Sequence, residues 1–275
     1  TVSDGTATST VDLVITVIGI GPEAVADTAS VNENVLLNAN NASSTGLLAN
    51  DDDNAAYDSE SLAVTNVSSN STGNSGSATQ GVLGTYGTLT VAADGTYTYT
   101  PNTAAAEALD ANETETDVFT YTVKDDDDKN SSTATLTITV TGVDDNPVAV
   151  SDTGYINEDG TLAVADGGSA VTGTDSNNNN ESGDTTGDVL LNDTDADASA
   201  TLVVSAIQGG SLGSSVNGTY GTLTLYSTGR YTYVADKSGA DGLAADAVQT
   251  DVFTYTVSDG AGDTSNATLT ITVKG

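Results

Sequence analysis

From Thr133 to Thr141 threonine alternates with Ala134, Leu136, Ile138 and Val140 without a break. Side chains two apart in an extended chain share a face, so this segment reads as a half-buried β-strand with its threonines outward. In Asp117–Val123 the same period puts Phe119, Tyr121 and Val123 on one side and Val118, Thr120 and Thr122 on the other. Leu89 and Val91 face Tyr97 and Tyr99 across a turn containing Asp94-Gly95, a hairpin signal. A second hairpin sets Leu223 and Leu225 against Tyr231 and Tyr233 around Ser227–Gly229. No stretch carries an apolar stripe of helical period. The one helix-friendly segment, Ala104–Asp110, is long enough for a single turn. Many short strands separated by turn residues predict an all-β chain of β-sandwiches with Ig-like or cadherin-like packing. Phe119 and Tyr121, and Phe253 and Tyr255, centre the two cores. The alternating tyrosines read as core rather than as a sugar-stacking platform.

The strands belong to a repeat. GTYGTLTV at Gly84–Val91 returns as GTYGTLTL at Gly218–Leu225, and TDVFTYTV at Thr116–Val123 returns at Thr250–Val257. ATLTITV at Ala134–Val140 returns at Ala267–Val273. VADTASVNEN at Val25–Asn34 answers VSDTGYINEDG at Val150–Gly160, and LLANDDD at Leu47–Asp53 answers LLNDTDAD at Leu190–Asp197. The order is the same in both copies. A partial third copy opens the chain: Thr1–Gly5 matches Thr256–Gly260, and Asp12–Val17 matches the closing strand. The expected division is therefore residues 1–20 as terminal strands of a preceding or partner repeat, 21–142 as one sandwich and 143–275 as a second. Linkers rich in Gly, Pro and acid fall at Gly19–Glu23 and Gly142–Pro147.

Composition narrows the function. Thirty-nine acidic against five basic residues give a formal charge of −34, which disfavours nucleic acid and anionic membrane as partners. The chain has no Cys, Met, Trp or His, so there is no disulfide and no imidazole or thiolate for zinc, copper or nucleophilic chemistry. An enzyme is the least favoured class: a carboxylate pair could hydrolyse a glycoside, but acids that recur in each copy serve every module alike. No apolar run is long enough to span a bilayer.

The carboxylates fall into three recurring groups. The first lies at the second linker, Asp144, Asp145 and Asn146, with Asp152, Glu158 and Asp159 just beyond; its counterpart is Glu23, Asp27, Asn32 and Glu33. The second follows the Leu-Leu pairs: Asn50, Asp51, Asp52 and Asp53, then Asn192, Asp193, Asp195 and Asp197. The third precedes the last strand of each copy: Asp125–Asp128, including Asp125 and Asp127, then Asp259 and Asp263, with Asp4 in the partial copy. Calcium takes six to eight oxygens in irregular geometry, whereas magnesium demands a near-ideal octahedron. Several calcium ions are the expected cofactor, and Asp193, Asp195 and Asp197 can wrap oxygens round one of them. The bland alternative is a solvated acidic turn.

The segment GTYGTLTVAADGTYTYTPN, followed by TDVFTYTV and ATLTITVTG, resembles the VCBS repeat of giant bacterial surface proteins. VAVSDTGYINEDG and VLLNDTDAD look like the related cadherin-like repeats of the same proteins. The resemblance implies tandem sandwiches in a long extracellular adhesin or matrix protein, often exported by a type I route and often stiffened by calcium. One departure is KDDDDK at Lys124–Lys129 where the second copy has SDG at Ser258–Gly260. The leading expectation is a structural or adhesive spacer at the cell surface whose partners are neighbouring repeats. A second reading is a filament or surface-layer subunit in which residues 1–20, with Leu13, Ile15 and Val17 on one face, add to another copy. A third is a carbohydrate-binding module using Tyr57, Tyr155 or Tyr226.

Overall fold

The computed structural model describes residues 2–3, 5, 8–9, 21–40, 45–53, 61–125, 131–167 and 187–275. Its contacts divide into two compact units. The first holds Thr1–Val31, Val35–Pro101 and Thr116–Val140; the second holds Asn32–Asn34, Asn102–Glu115 and Thr141–Gly275. In the opening segment β1 (Val2–Ser3) pairs antiparallel with β2 (Thr8–Ser9). The apolar face expected from Leu13, Ile15 and Val17, together with Tyr57, Asp4 and Asp127, lies outside the described residues.

In the first unit β3 (Asp27–Asn32), β11 (Ser131–Thr141), β10 (Thr114–Lys124), β5 (Ala63–Ser69) and β6 (Ser75–Ser77) form one sheet in that order. The other sheet runs β4 (Leu37–Ala39), β9 (Tyr97–Pro101), β8 (Gly87–Val91), β7 (Gly81–Leu83). The second unit repeats the plan. One sheet is β12 (Asp152–Asn157), β19 (Thr264–Lys274), β18 (Val248–Ser258), β14 (Val203–Ile207). The other is β13 (Thr161–Val164), β17 (Tyr231–Val234), β16 (Thr222–Leu225), β15 (Ser215–Asn217). Strand β12 runs parallel to β19, while β13–β17, β14–β18, β15–β16, β16–β17 and β18–β19 pair antiparallel.

The period-two reading holds residue by residue. Ala134, Leu136, Ile138 and Val140 are buried, as are Phe119, Tyr121 and Val123. Leu89 pairs with Tyr99 and Val91 with Tyr97; Leu223 pairs with Tyr233 and Leu225 with Tyr231. Both turns use a glycine at positive φ, Gly95 at 82° and Gly229 at 89°, where a β-carbon would be strained. Tyr99 meets Phe119 edge-on at 6.2 Å, and Tyr233 meets Phe253 at the same distance, so each core joins its two sheets through one aromatic pair. Burial of each such ring contributes about 1.5–3 kcal/mol. The Ala104–Asp110 segment forms hydrogen-bonded turns, with Ala106 and Glu107 N–H donating to Thr103 O. Its counterpart in the second repeat closes into the four-residue helix α1 (Ser238–Asp241). Among the described residues no helix is long and apolar enough to cross a membrane.

A buried carboxylate explains the two most faithfully repeated motifs. Asp117, fully buried, opens the inward face of the TDVFTYTV strand. It accepts backbone N–H bonds from Thr85 (2.7 Å), Tyr86 (3.0 Å) and Gly87 (3.1 Å), and the Tyr99 hydroxyl at 2.7 Å. Asp251 repeats every bond with Thr219, Tyr220, Gly221 and the Tyr233 hydroxyl. A β-carbon at Gly84 or Gly218 would overlap the carboxylate, so the first glycine of GTYG is set by close approach. The motif is thus a cradle of amides round a buried carboxyl group that forms no ion pair among the described residues. Replacing Asp117 by Ala strands two buried and two part-buried donors, and we expect a loss of about 3–5 kcal/mol in urea unfolding of the first unit. Gly84→Ala is expected to destabilise the same unit, while the outward-facing Thr137→Ala stays within about 0.5 kcal/mol.

Candidate metal centres

The second unit gathers carboxylates from five separate stretches of sequence. Glu33 follows β3, Glu107 lies in the turns before β10, Asp144 and Asp145 precede Pro147, Asp195 and Asp197 follow the Leu-Leu pair, and Asp259 and Asp263 lie between β18 and β19. Several of these groups share one geometry. Glu33, with no exposed surface, accepts the Val143 N–H at 2.5 Å on Oε1. Asp197 accepts the Asp145 N–H at 2.8 Å on Oδ2. Asp195 accepts the Asp197 N–H at 3.0 Å on Oδ1. Asp259 accepts Ala261 N–H at 2.8 Å and Gly262 N–H at 3.0 Å on Oδ1.

In each of the four, backbone amides fix one oxygen and the other is buried with no donor: Glu33 Oε2, Asp197 Oδ1, Asp195 Oδ2 and Asp259 Oδ2. Asp145 Oδ2 is buried without a donor as well. One oxygen from each of Asp144, Asp259 and Asp263 lies within 4.8 Å of the others. That is about the span between opposed ligands of an ion bound at about 2.4 Å.

Electrostatics shows how these groups press on one another. Burial raises the Glu33 carboxyl above its ordinary value, and the charges of Asp145, Glu107 and Asp197 raise it further. Burial likewise raises Asp145, assisted by Asp197, Glu107, Asp195 and Asp144. Desolvation raises Asp144, with Asp259, Asp263, Asp197 and Asp195 adding to it. Among the described residues no lysine or arginine forms an ion pair with this group; Lys274 pairs with Asp246, outside it. Buried carboxylate oxygens without donors, close together and without a basic neighbour, suit a hard divalent cation with oxygen ligands.

A smaller constellation sits inside each unit, and the two are copies. In the first, Asp51 Oδ1 accepts the Val25 N–H at 2.7 Å while Oδ2 is buried without a donor. The Tyr121 hydroxyl reaches Asp27 Oδ2 at 2.8 Å, Val25 O at 2.8 Å and Leu47 O at 3.4 Å, so one proton faces several acceptors. In the second, Asp193 Oδ1 accepts Val150 N–H at 2.7 Å, and Asp193 Oδ2 and Asn192 Oδ1 are buried without donors. There the Tyr255 hydroxyl donates to Asp152 Oδ2 at 2.5 Å. Asp27 is pushed up to about 6, chiefly by burial and further by Asp51, against the opposing bonds from Tyr121 and Asn50. Asp193 is also pushed up to about 6, by burial and then by Asp152 and Asp188.

The structure therefore redistributes the sequence groups. Asp193, expected to share one ion with Asp195 and Asp197, faces Asp152 and Asp188 instead, because its own bond to Val150 turns it toward β12. Asp152, expected with the linker acids, lies with Asp193 and Tyr255. Glu33, assigned to the first repeat, lies with Asp145 and Asp197. Glu158 occupies the place in its repeat that Glu33 has in the other: its N–H donates to Lys274 O at 2.7 Å, as that of Glu33 does to Thr141 O at 2.9 Å, and its Oε2 is buried without a donor. Asp125 is buried at the position equivalent to Asp259. Asn50 donates to Ala26 O at 3.5 Å. Glu23 is exposed and pairs by backbone with Asp52; Asp53 is half-buried; Asn146 and Asp159 are exposed.

Two sets of residues escaped the sequence reading. Glu107 is the one acid within the alanine-rich Ala104–Leu109, and its only signal is that Asp241 stands at the equivalent position in the other repeat. Asp117 and Asp251 were legible as strand residues but not as charges needing a cradle.

A family model described as bacterial cadherin-like domain matches residues 21–142 and again residues 144–275. Among solved structures, Drosophila N-cadherin EC1-4 is 12% identical, with 93% of this chain and 50% of that chain covered and a TM-score of 0.40. Human CDH23 EC21-23 is 16% identical over 93% of this chain and 69% of that one, TM-score 0.42. Mouse protocadherin-24 EC1-3 is 13% identical over 92% and 70%, TM-score 0.37. The chain spans half the length of the first of these structures. No curated protein sequence matches it.

The raised carboxyls fix the sign of a pH effect. Asp27 and Asp193 bind a proton more tightly folded (about 6) than in the unfolded chain (3.8). Their contribution to stability is therefore present at low pH and lost as pH rises through about 6. In metal-free buffer we expect a higher melting temperature at pH 5 than at pH 7.5. Millimolar calcium is expected to reverse the order, since protons and the ion compete for the same oxygens. A metal-free melting temperature that climbs from pH 5 to pH 7.5 would contradict the assignment.

Proposed function

The chain belongs to the bacterial cadherin-like domain family, and from that premise we propose that it is a calcium-stiffened spacer of a large extracellular adhesin or matrix protein. Membership makes it a structural, adhesive type of module rather than an enzyme. The observation that carries the calcium reading is the set of buried, donor-less oxygens on Glu33, Asp145, Asp195, Asp197 and Asp259. Glu33, Glu107, Asp145, Asp195 and Asp197 would hold one part of the ion cluster, and Asp144, Asp259 and Asp263 another. Asp27 with Asp51, and Asp152 with Asp193, are further ligand sets inside the units.

Within the second unit an ion would act as a clamp. Asn32–Asn34 and Asn102–Glu115 are compact with Thr141–Gly275 in spite of lying far away in sequence. Without a cation, Glu33 and Glu107 are repelled by Asp145 and Asp197; with one, the same four groups are drawn to a common centre. An ion bound to the folded state alone adds stability by mass action, about 2.7 kcal/mol at a hundredfold excess over Kd. Stiffness along a row of repeats gives reach without chemistry, and an acidic, threonine-rich surface keeps the row soluble. The location we assign is the cell surface, with neighbouring repeats as partners.

Calcium is expected to raise the melting temperature by about 10 °C and to change the maximum dimension measured by solution scattering. The double substitution Asp145→Asn, Asp197→Asn should remove most of both effects, since it withdraws two ligand charges at one centre. Identical scattering curves and melting temperatures in calcium and in chelator would rule the clamp out.

A further inference from the structure

The chain's sole arginine makes no ion pair among the described residues, although acids outnumber bases 39 to 5. Arg230 is exposed, and its guanidinium carbon lies 4.1 Å from the centre of the Tyr226 ring. The two residues close the β16–β17 hairpin, where Tyr226 N–H donates to Arg230 O at 3.1 Å. They border a surface concavity of about 330 Å³ floored by Ala163, Ala165 and Thr232.

The first repeat has the same recess, about 380 Å³, at the equivalent place. There Ala92 N–H donates to Thr96 O at 2.7 Å, and these two stand where Tyr226 and Arg230 stand in the second repeat. Asn38 and Thr98 likewise answer Ala163 and Thr232. Neighbouring motifs are nearly identical between the copies, yet at this turn, where Ala93 and Asp94 also give way to Ser227 and Thr228, two small neutral residues are exchanged for a stacked aromatic–cation pair. The backbone does not need the pair, since the first repeat builds the same hairpin without it.

We propose that Tyr226 and Arg230 form a binding site for an acidic sugar unit, one bearing a carboxylate or sulfate on its ring. Stacking on Tyr226 occupies one face of the guanidinium and leaves its in-plane N–H edges for a bidentate oxyanion. The alanine floor gives a sugar ring an apolar surface to lie on, and the Thr232 hydroxyl can meet a ring hydroxyl. A peptide fits less well. Strand β17, which runs beneath the recess, is paired on both sides, by β13 and β16, and has no main-chain groups to offer an added strand. Asp166, next to Ala165, accepts the Thr228 hydroxyl and is engaged at the edge of this turn; charges farther than about 8 Å are screened at physiological salt, so the contact acts at short range.

The test is calorimetric titration of the whole chain in 0.15 M NaCl, an ionic strength chosen for that screening. The probes are oligogalacturonate, a sulfated galactan oligosaccharide, a neutral galactan oligosaccharide and poly-glutamate. Saturable binding of either acidic sugar, at least about tenfold tighter than the neutral sugar and poly-glutamate, is expected; which of the two binds names the oxyanion. Arg230→Thr and Tyr226→Ala restore the first-repeat residues, so each should lose at least about tenfold in affinity with an unchanged melting temperature. Arg230→Lys should lose binding too, because the ammonium lacks the planar fork. The transplant Ala92→Tyr, Thr96→Arg should add a second site. The proposal is overturned if neither acidic sugar binds, if Arg230→Thr or Arg230→Lys binds like the parent, or if poly-glutamate binds as tightly as the sugars.

Discussion

A carboxylate oxygen taken out of water must be met by a donor, a proton or a cation, because leaving the charge bare costs more than a module of this size can spare. This chain buries carboxylates repeatedly with five basic residues in all, so that requirement shapes nearly every conserved-in-repeat feature. Asp117 and Asp251 meet it with donors: three amides of the GTYG turn and the hydroxyl of Tyr99 or Tyr233 from the adjoining strand. Asp27 and Asp152 meet it in part with the hydroxyls of Tyr121 and Tyr255. Glu33, Asp145, Asp195, Asp197 and Asp259 keep a buried oxygen for which the described residues provide no donor. The first two solutions belong to the fold; the third connects the fold to its surroundings.

The same bookkeeping separates what the sequence disclosed from what it concealed. The strands and hairpins were legible because alternation is local: Thr133–Thr141 and the Leu89–Tyr99 pair carry their own register. The repeat disclosed which segments matter. It did not disclose which acids meet, since the bond from Val143 to Glu33 or from Thr85 to Asp117 depends on how strands distant in sequence are brought together. Grouping acids by adjacency therefore put Asp193 with Asp195 and Asp197, although a single backbone bond to Val150 turns it to the other side. Glu107 was hidden for a similar reason, standing in an alanine-rich turn with no acidic neighbour.

The two copies also show where selection on the fold stops. Motifs that cradle a buried charge are kept to the residue, as GTYGT and TDVFTYTV are. The outer face at the hairpin turn is free to differ, and there Ala92 and Thr96 give way to Tyr226 and Arg230. A repeat can in this way carry a recognition surface on one module without disturbing the buried geometry common to both. Structural and binding roles are then separable by mutation, because Asp251 is buried on β18 of one sheet while Tyr226 and Arg230 lie at the β16–β17 turn of the other.

The central claim is that cations occupy the donor-less carboxylate groups of the second unit. Anomalous scattering from crystals grown in calcium tests it most directly. The account requires anomalous peaks bounded by Glu33, Asp145 and Asp197 and by Asp144, Asp259 and Asp263. Ordered carboxylates with no anomalous density among them, in crystals saturated with calcium, would contradict it.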